Sequence, residues 1–508
     1  MTVETPSIST LREISDRYGL ELSDEDLRFH AETMRIVLDS YERLDALEEP
    51  KLPVSYPRGK VYRPGPDENE LGAWYYRCEI EGASDGPLAG RTVAVKDTVS
   101  VADVPLMNGT SLLEGFVPDV DATVVTRILD AGGIIAGKSV CEALSFSDGS
   151  HTADTGPVLN PHDHSRSAGG SSSGSAALVV NGDIDMALGG DQAGSIRMPA
   201  AFCGCYGLKP TYGLVPYSGI FSSDRTLDHI GPMTRTVTDA ARMLGAIAGA
   251  DGIDPRQLNT QVGDYEATLE DGVEGMRIGL LSEGFGWPNS EPDVDEAVRT
   301  TANQLSEEGA TVTEVSVPMH AEGVHIWTGI AIGGGMAQII RGNAGGPGFK
   351  GYYDTPLIDA FAAGMADRAA ALPVTVKIAT LVGEYAQTRY GGRYYAKARN
   401  LARTLTAAYD EALADHDILV MPTTRMKAPP RPAPDADQGE VLQRAFEVYE
   451  QTCAFDVTGH PVITIPCALS DGLPVGMMAI GRHHDDAGVL RYARACEQSF
   501  AIPVGVPG

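Results

Sequence analysis

A chain of 508 residues with 43% hydrophobic and 21% charged residues has the make-up of a folded globular protein, long enough for a large core. Its 69 acidic against 39 basic residues give a formal net charge of -30, which excludes nucleic acid and anionic membranes as main partners. No run of about 18 apolar residues is present to span a bilayer, the start Met1-Thr2-Val3-Glu4-Thr5-Pro6 lacks a secretory pattern, and seven scattered cysteines read as free thiols, so a cytoplasmic protein is expected.

The first predicted element is a helix. Ser23, with Asp26 three residues on, has the form of a capping box ahead of Leu27, Ala31, Met34, Leu38 and Tyr41, whose spacing makes one apolar face. Glu49-Pro50 ends it, and Pro53, Pro57, Pro64 and Pro66 then punctuate an apolar-poor stretch that reads as a linker. Residues 1–68 are therefore expected to form an N-terminal helical segment and linker, suited to packing or to a homodimer contact, and residues 69–508 the main domain. From residue 71 onward, strand-like and helix-like stretches alternate. Residues 92–95, 134–136, 185–188, 417–422 and 462–466 read as strands, and residues 122–130 and 173–180 as helices. This alternation predicts an α/β fold with a mixed, largely buried β-sheet sandwiched between helices. The dense glycines between positions 332 and 351 predict irregular backbone near a pocket or lid.

Two stretches imitate nucleotide-binding motifs. Gly132-Gly133-Ile134-Ile135-Ala136-Gly137-Lys138-Ser139 matches the P-loop pattern letter for letter, but a phosphate loop follows a strand and needs free amides between its glycines. Here the paired glycines fit the C-terminal stop of a helix and the apolar strand 134–136 occupies the place of the loop, so nucleotide binding through Lys138 is the weaker reading. Gly346-Pro347-Gly348-Phe349-Lys350-Gly351 matches G-x-G-x-x-G, yet carries an internal proline and no βαβ unit follows it.

The chemistry-bearing pattern lies elsewhere. Ser171 in Gly169-Gly170-Ser171-Ser172-Ser173-Gly174-Ser175 and Ser195 in Gly190-Asp191-Gln192-Ala193-Gly194-Ser195-Ile196-Arg197-Met198-Pro199-Ala200 stand 24 positions apart in glycine-rich turns, each just before a predicted helix. A helix N-terminus offers free amides and a positive dipole end, the setting in which a serine nucleophile finds an oxyanion hole. Lys96 stands 75 positions before Ser171 at the end of the apolar run Val93-Ala94-Val95, and it is one of only 9 lysines against 30 arginines.

With Cys203-Gly204 and Gly207-Leu208-Lys209-Pro210-Thr211, these blocks resemble the amidase signature family over nearly the whole chain after the linker, most of all the bacterial amidases that act after nitrile hydratases. The resemblance implies that family's fold, no cofactor or metal, and hydrolysis of a small-molecule linear carboxamide to carboxylate and ammonia. It also implies a triad in which Ser195 attacks the carbonyl, Ser171 relays the proton after a cis Gly170-Ser171 peptide, and Lys96 is the final base. The amides of Gln192, Ala193, Gly194 and Ser195 would form the oxyanion hole. Ala193 departs from the subgroup, which usually has glycine there, and adds a methyl beside the acyl pocket. Phe146, Trp327 and the glycines 333–335 are candidates to line that pocket. A carbamate, hydrazide or aryl-anilide hydrolase, or the amidase subunit of a tRNA-dependent amidotransferase, would share the same machinery.

A lysine base must lose its charge. Its reference pKa of about 10.4 has to fall by roughly three units to be half neutral at pH 7, a differential of about 4 kcal/mol. Burial after Val93-Ala94-Val95 acts in that direction, and Asp97 opposes it unless its carboxylate points away. His162 and His164 sit in a turn-like segment outside any Ser-His-Asp order and read as structural. His483, His484, Asp485 and Asp486 are adjacent, so their side chains diverge, and Cys203 and Cys205 lack further ligands; neither group reads as a metal site.

Overall fold

A computed structural model describes residues 3–258, 260–346 and 348–500. Contacts divide the chain into the units Met1–Leu52 and Pro53–Gly508. In the first, the helices Ile8–Tyr18 and Asp24–Asp45 follow one another. The capping box is formed: Asp26 N donates to Ser23 Oγ at 3.2 Å, and Ser23 N donates to Asp26 Oδ2 at 2.9 Å. The second helix stops at Asp45, ahead of the Glu49-Pro50 breaker. The boundary expected at residue 68 falls at Leu52 because the proline-rich stretch joins the sheet through Val61 and Tyr62, which pair with Cys78 and Arg77.

The second unit is built on one twelve-stranded sheet. Its strands are β1 (Val61–Tyr62), β2 (Trp74–Glu81), β3 (Thr92–Lys96), β4 (Ile134–Ser139), β5 (Met186–Asp191), β6 (Tyr206–Lys209), β7 (His229–Thr234), β8 (Arg277–Leu281), β9 (Thr311–Val315), β10 (Ile418–Pro422), β11 (Val462–Ser470) and β12 (Leu473–Ile480). They lie in the order β1-β2-β4-β3-β5-β7-β6-β11-β12-β10-β8-β9. The neighbours β4-β3-β5 and β10-β8-β9 are parallel and the other pairs antiparallel, which makes the mixed, helix-covered α/β sheet that the alternation predicts.

The period of two along each strand sorts side chains by size. Val93, Val95, Ile135, Met186 and Leu188 face one core with Val124, Val125, Ile128 and Leu129 of the helix Thr123–Asp130. The opposite face presents Ala94, Ala136 and Ala187. These small residues let the helix Ser173–Asn181, buried along residues 173–180, pack close to the sheet. Lys96 lies two residues beyond Ala94 and so belongs to the alanine face.

Candidate active site

β3 and β5 are parallel neighbours, with Val95 opposite Leu188, so their carboxyl ends open together at the edge where α/β sheets hold ligands. Lys96 ends β3 and is fully buried. Its Nζ donates to Ser171 Oγ at 2.7 Å and to the Gly190 carbonyl at 3.3 Å. Burial pushes its pKa down to about 8, partly offset by the acidic side chains of Asp191 and Glu142. Asp97, the next residue, turns its carboxylate away: one oxygen lies 3.0 Å from Lys138 Nζ, and the other accepts the amides of Met107 and Asn108 at 3.0 and 2.9 Å.

Ser171 is held from the backbone. The Glu142 amide donates to its carbonyl at 3.1 Å, and the Gly170–Ser171 peptide is cis. Ser172 ties this loop to the second serine turn, because its amide donates to the Ser195 carbonyl at 3.2 Å and its hydroxyl donates to the Gly190 carbonyl at 3.1 Å. Ser195 ends the turn between β5 and the short helix Arg197–Cys203.

An ion cage shapes that turn. Arg197, Asp191 and Asp456 are all fully buried, and the guanidinium meets Asp191 at 2.9 Å and Asp456 at 2.6 Å. Burial by itself would raise Asp191, but the Arg197 charge holds its carboxyl well below the usual range. Asp191 in turn accepts the amides of Gly194 at 2.5 Å and Ile196 at 3.1 Å. The Gly194 amide, expected among the oxyanion donors, is therefore already engaged. The amides of Gln192, Ala193 and Ser195 have no protein acceptor among the described residues. Gly194 has φ +128°, and a Cβ on it would sit 2.1 Å from Thr452 Oγ1, so the turn admits only glycine there. From distant segments, Trp327 Nε1 donates to the Gln192 carbonyl at 2.6 Å, Gln192 Nε2 donates to the Tyr217 hydroxyl at 3.0 Å, and Thr452 Oγ1 donates to the Ala193 carbonyl.

Ser195 opens onto a cavity walled by Phe146, Met198, Trp327, Met336, Phe446 and Tyr449. Of the glycines expected there only Gly335 lines the wall; a Cβ on Gly333 would meet Tyr395, and one on Gly334 would meet Asp224 Oδ2 and Tyr395. The first half of the glycine-dense stretch is not open loop, because the helix Gly323–Ile330 continues in the π-helical turns Ala331–Gly335 and Ala337–Arg341; from Gly342 the described residues are the irregular turn and loop that was expected. The run Pro318–Arg341 has the length and apolar character of a membrane span, yet it supplies Trp327, Ala331, Gly335, Met336 and Ile339 to the cavity wall.

A family model described as amidase matches residues 66–490. This chain belongs to the amidase family. It is 48% identical to an enantioselective amidase of Rhodococcus rhodochrous over 431 residues, covering 84% of this chain and 83% of that protein. It is 35% identical over 427 residues to a subunit of the glutamyl-tRNA(Gln) amidotransferase of Methanosarcina acetivorans, covering 83% and 87% of the two. Among solved structures, a peptide amidase in complex with the competitive inhibitor chymostatin is similar, with a TM-score of 0.67 and 30% identity over 82% of this chain and 85% of that one. The amidase fold and an enzyme acting on amide C–N bonds are thus shown.

The other motifs take structural places in this amidase. Gly132 and Gly133 close the helix Thr123–Asp130 by donating their amides to the Leu129 and Ile128 carbonyls at 3.0 and 2.9 Å, and Lys138 of β4 is the buried partner of Asp97. In the G-x-G-x-x-G stretch, Pro347 lies outside the described residues, and residues 348–351 form neither helix nor strand. His162 Nε2 bonds to the Cys203 carbonyl at 2.8 Å, and His164 is exposed. His483 diverges from His484 and meets His460 and Asp410 instead, with the two imidazole rings 3.9 Å apart. Within the amidase motifs, sequence reasoning missed the cage role of Asp191 and Arg197, although both stand in the block around Ser195. Thr452 and Asp456 lie more than 250 positions further on and carry no motif that would flag them.

Proposed function

We propose that this amidase hydrolyses a linear carboxamide to carboxylate and ammonia, with Ser195 as nucleophile, Ser171 as proton relay and Lys96 as base. The observation that carries the reading is the buried 2.7 Å contact from Lys96 Nζ to Ser171 Oγ, in a setting that pushes the lysine down to about 8. Neutral Lys96 takes the proton of Ser171 as Ser171 takes that of Ser195, whose Oγ then adds to the amide carbonyl. The amides of Gln192, Ala193 and Ser195 are the available donors for the oxyanion. Return of the proton through Ser171 to the leaving nitrogen releases ammonia, and water cleaves the acyl ester by the same relay. Ser195→Ala abolishes ammonia release and the acyl adduct seen by intact-protein mass spectrometry while the circular dichroism spectrum stays native; retained turnover sinks the assignment.

A small-molecule amide suits a cavity lined mainly by apolar and aromatic side chains with Ser195 at its wall. The all-thiol state of the seven buried cysteines supports a reducing cytoplasm. The exposed Ile14, Phe29, Ile36, Val37 and Tyr41 of the N-terminal helices support a homodimer as the working assembly.

A further inference from the structure

Apart from the cavity beside Ser195, three side chains each turn one ligand atom towards a common point. Asp410, His460 and His483 hold these atoms within 4.8 Å of one another. The sheet brings two of them together: β11 and β12 are antiparallel with Val462 opposite Ile480, so His460, just before β11, and His483, just after β12, stand at the same edge. Asp410 reaches them from the helix Arg393–Asp415. His460 is buried, His483 half-buried and Asp410 exposed, so the point they share opens to water on the aspartate side.

Both histidines face one carboxylate oxygen. His460 Nε2 lies 3.1 Å and His483 Nδ1 3.6 Å from Asp410 Oδ1. Thr458, which ends the helix Ala454–Thr458, fixes both rings by their other nitrogens. His460 Nδ1 is 2.9 Å from Thr458 Oγ1, and His483 Nε2 is 2.9 Å from the Thr458 carbonyl. A carbonyl only accepts, so His483 Nε2 carries the hydrogen and the neutral ring turns the lone pair of Nδ1 towards the carboxylate. Two acceptors then face each other, and a cation between them makes the arrangement favourable. Anchoring the outer ring nitrogen on an oxygen is also how metal-ligating imidazoles are oriented. Burial pushes His460 down to about 4 against the pull of Asp410, with the His483 and Lys209 charges adding to the push, so this ring is in the neutral form that a metal requires.

We propose that Asp410, His460 and His483 bind a divalent transition-metal ion of the zinc class, through Asp410 Oδ1, His460 Nε2 and His483 Nδ1, with water completing the coordination. Two imidazoles and a carboxylate suit zinc, cobalt or nickel and not magnesium. The ion ties the helix Arg393–Asp415 to the segments flanking β11 and β12. In the full chain freed of metal by a chelator, calorimetry should show one Zn²⁺ bound per chain, an excess of Mg²⁺ should not displace it, and Zn²⁺ should raise the melting temperature. Asp410→Asn and His483→Gln, both at accessible positions, should each weaken Zn²⁺ binding at least about tenfold and remove the rise in melting temperature. Absence of Zn²⁺ binding, which leaves a proton as the cation between His483 and Asp410, or binding unchanged in both variants, overturns the inference. Should the variants not fold, ¹⁵N-histidine spectra of the unaltered chain decide: Zn²⁺ should shift two of its 11 imidazoles, and a spectrum in which no pair shifts rejects the site.

Discussion

Lys96 offers the sharpest test, because its burial has a measurable size. The ammonium falls from the ordinary 10.5 to about 8, a differential of about 3 kcal/mol between its two protonation states. At pH 7 about one lysine in ten is then neutral, against roughly one in three thousand for a free side chain, so burial raises the reactive fraction by about 300-fold. With pentanamide, a substrate that carries no charge, kcat/KM measured by ammonia release should climb about tenfold per pH unit from 5.5 and level off above 8. The same burial has a stability sign. The folded pKa lies below the unfolded one, so holding the charged lysine destabilises the fold in full below about pH 8 and less as pH rises from there towards 10.5. Lys96→Met should therefore lose at least a thousandfold in activity yet match or exceed the wild-type unfolding free energy at pH 6, the lost bonds to Ser171 and Gly190 offsetting about 1 to 2 kcal/mol of the gain. A kcat/KM profile flat between pH 6 and 8, or a Lys96→Arg enzyme with more than a tenth of the activity, refutes the reasoning.

Two further predictions concern buried charges. Arg197→Met leaves Asp191 and Asp456 facing each other without the guanidinium that pairs them, and should lower the unfolding free energy by about 3 to 5 kcal/mol in urea titration; a loss under 1 kcal/mol would show the cage to be dispensable. Lys138→Met should cost a similar amount through the stranded Asp97, and Asp97→Asn combined with it should recover most of the loss. ATP should shift the melting temperature of neither wild type nor variant, and a shift with ATP would revive the phosphate-loop reading of Gly132 to Ser139.

Local pattern was a good guide where the backbone alone decides. The helices at 123–130 and 173–181 and the strands β3, β4, β5, β10 and β11 were legible as apolar runs bounded by Gly, Pro or Asp. β7 was not, since His229-Ile230-Gly231-Pro232-Met233-Thr234 contains the two residues least suited to a strand. Its place is tertiary: Pro232 pairs with Leu188, and a Cβ at Gly231 would lie 2.1 Å from the Leu208 carbonyl, so glycine admits the neighbouring strand.

The amino-acid order by itself determined the chemistry: a lysine ending an apolar strand, two serines in glycine turns before helices, and blocks specific enough to name a family. These are short-range features, carried by residues within a few positions of one another. Only the tertiary structure decided which groups are free to act. It turned Asp97 to Lys138 and so kept the neighbouring carboxylate off Lys96, took the Gly194 amide into Asp191, and brought Thr452 and Asp456 across more than 250 positions to fix the nucleophile turn. Desolvation and hydrogen-bond satisfaction depend on what the rest of the chain packs around a group, and no local pattern carries that information.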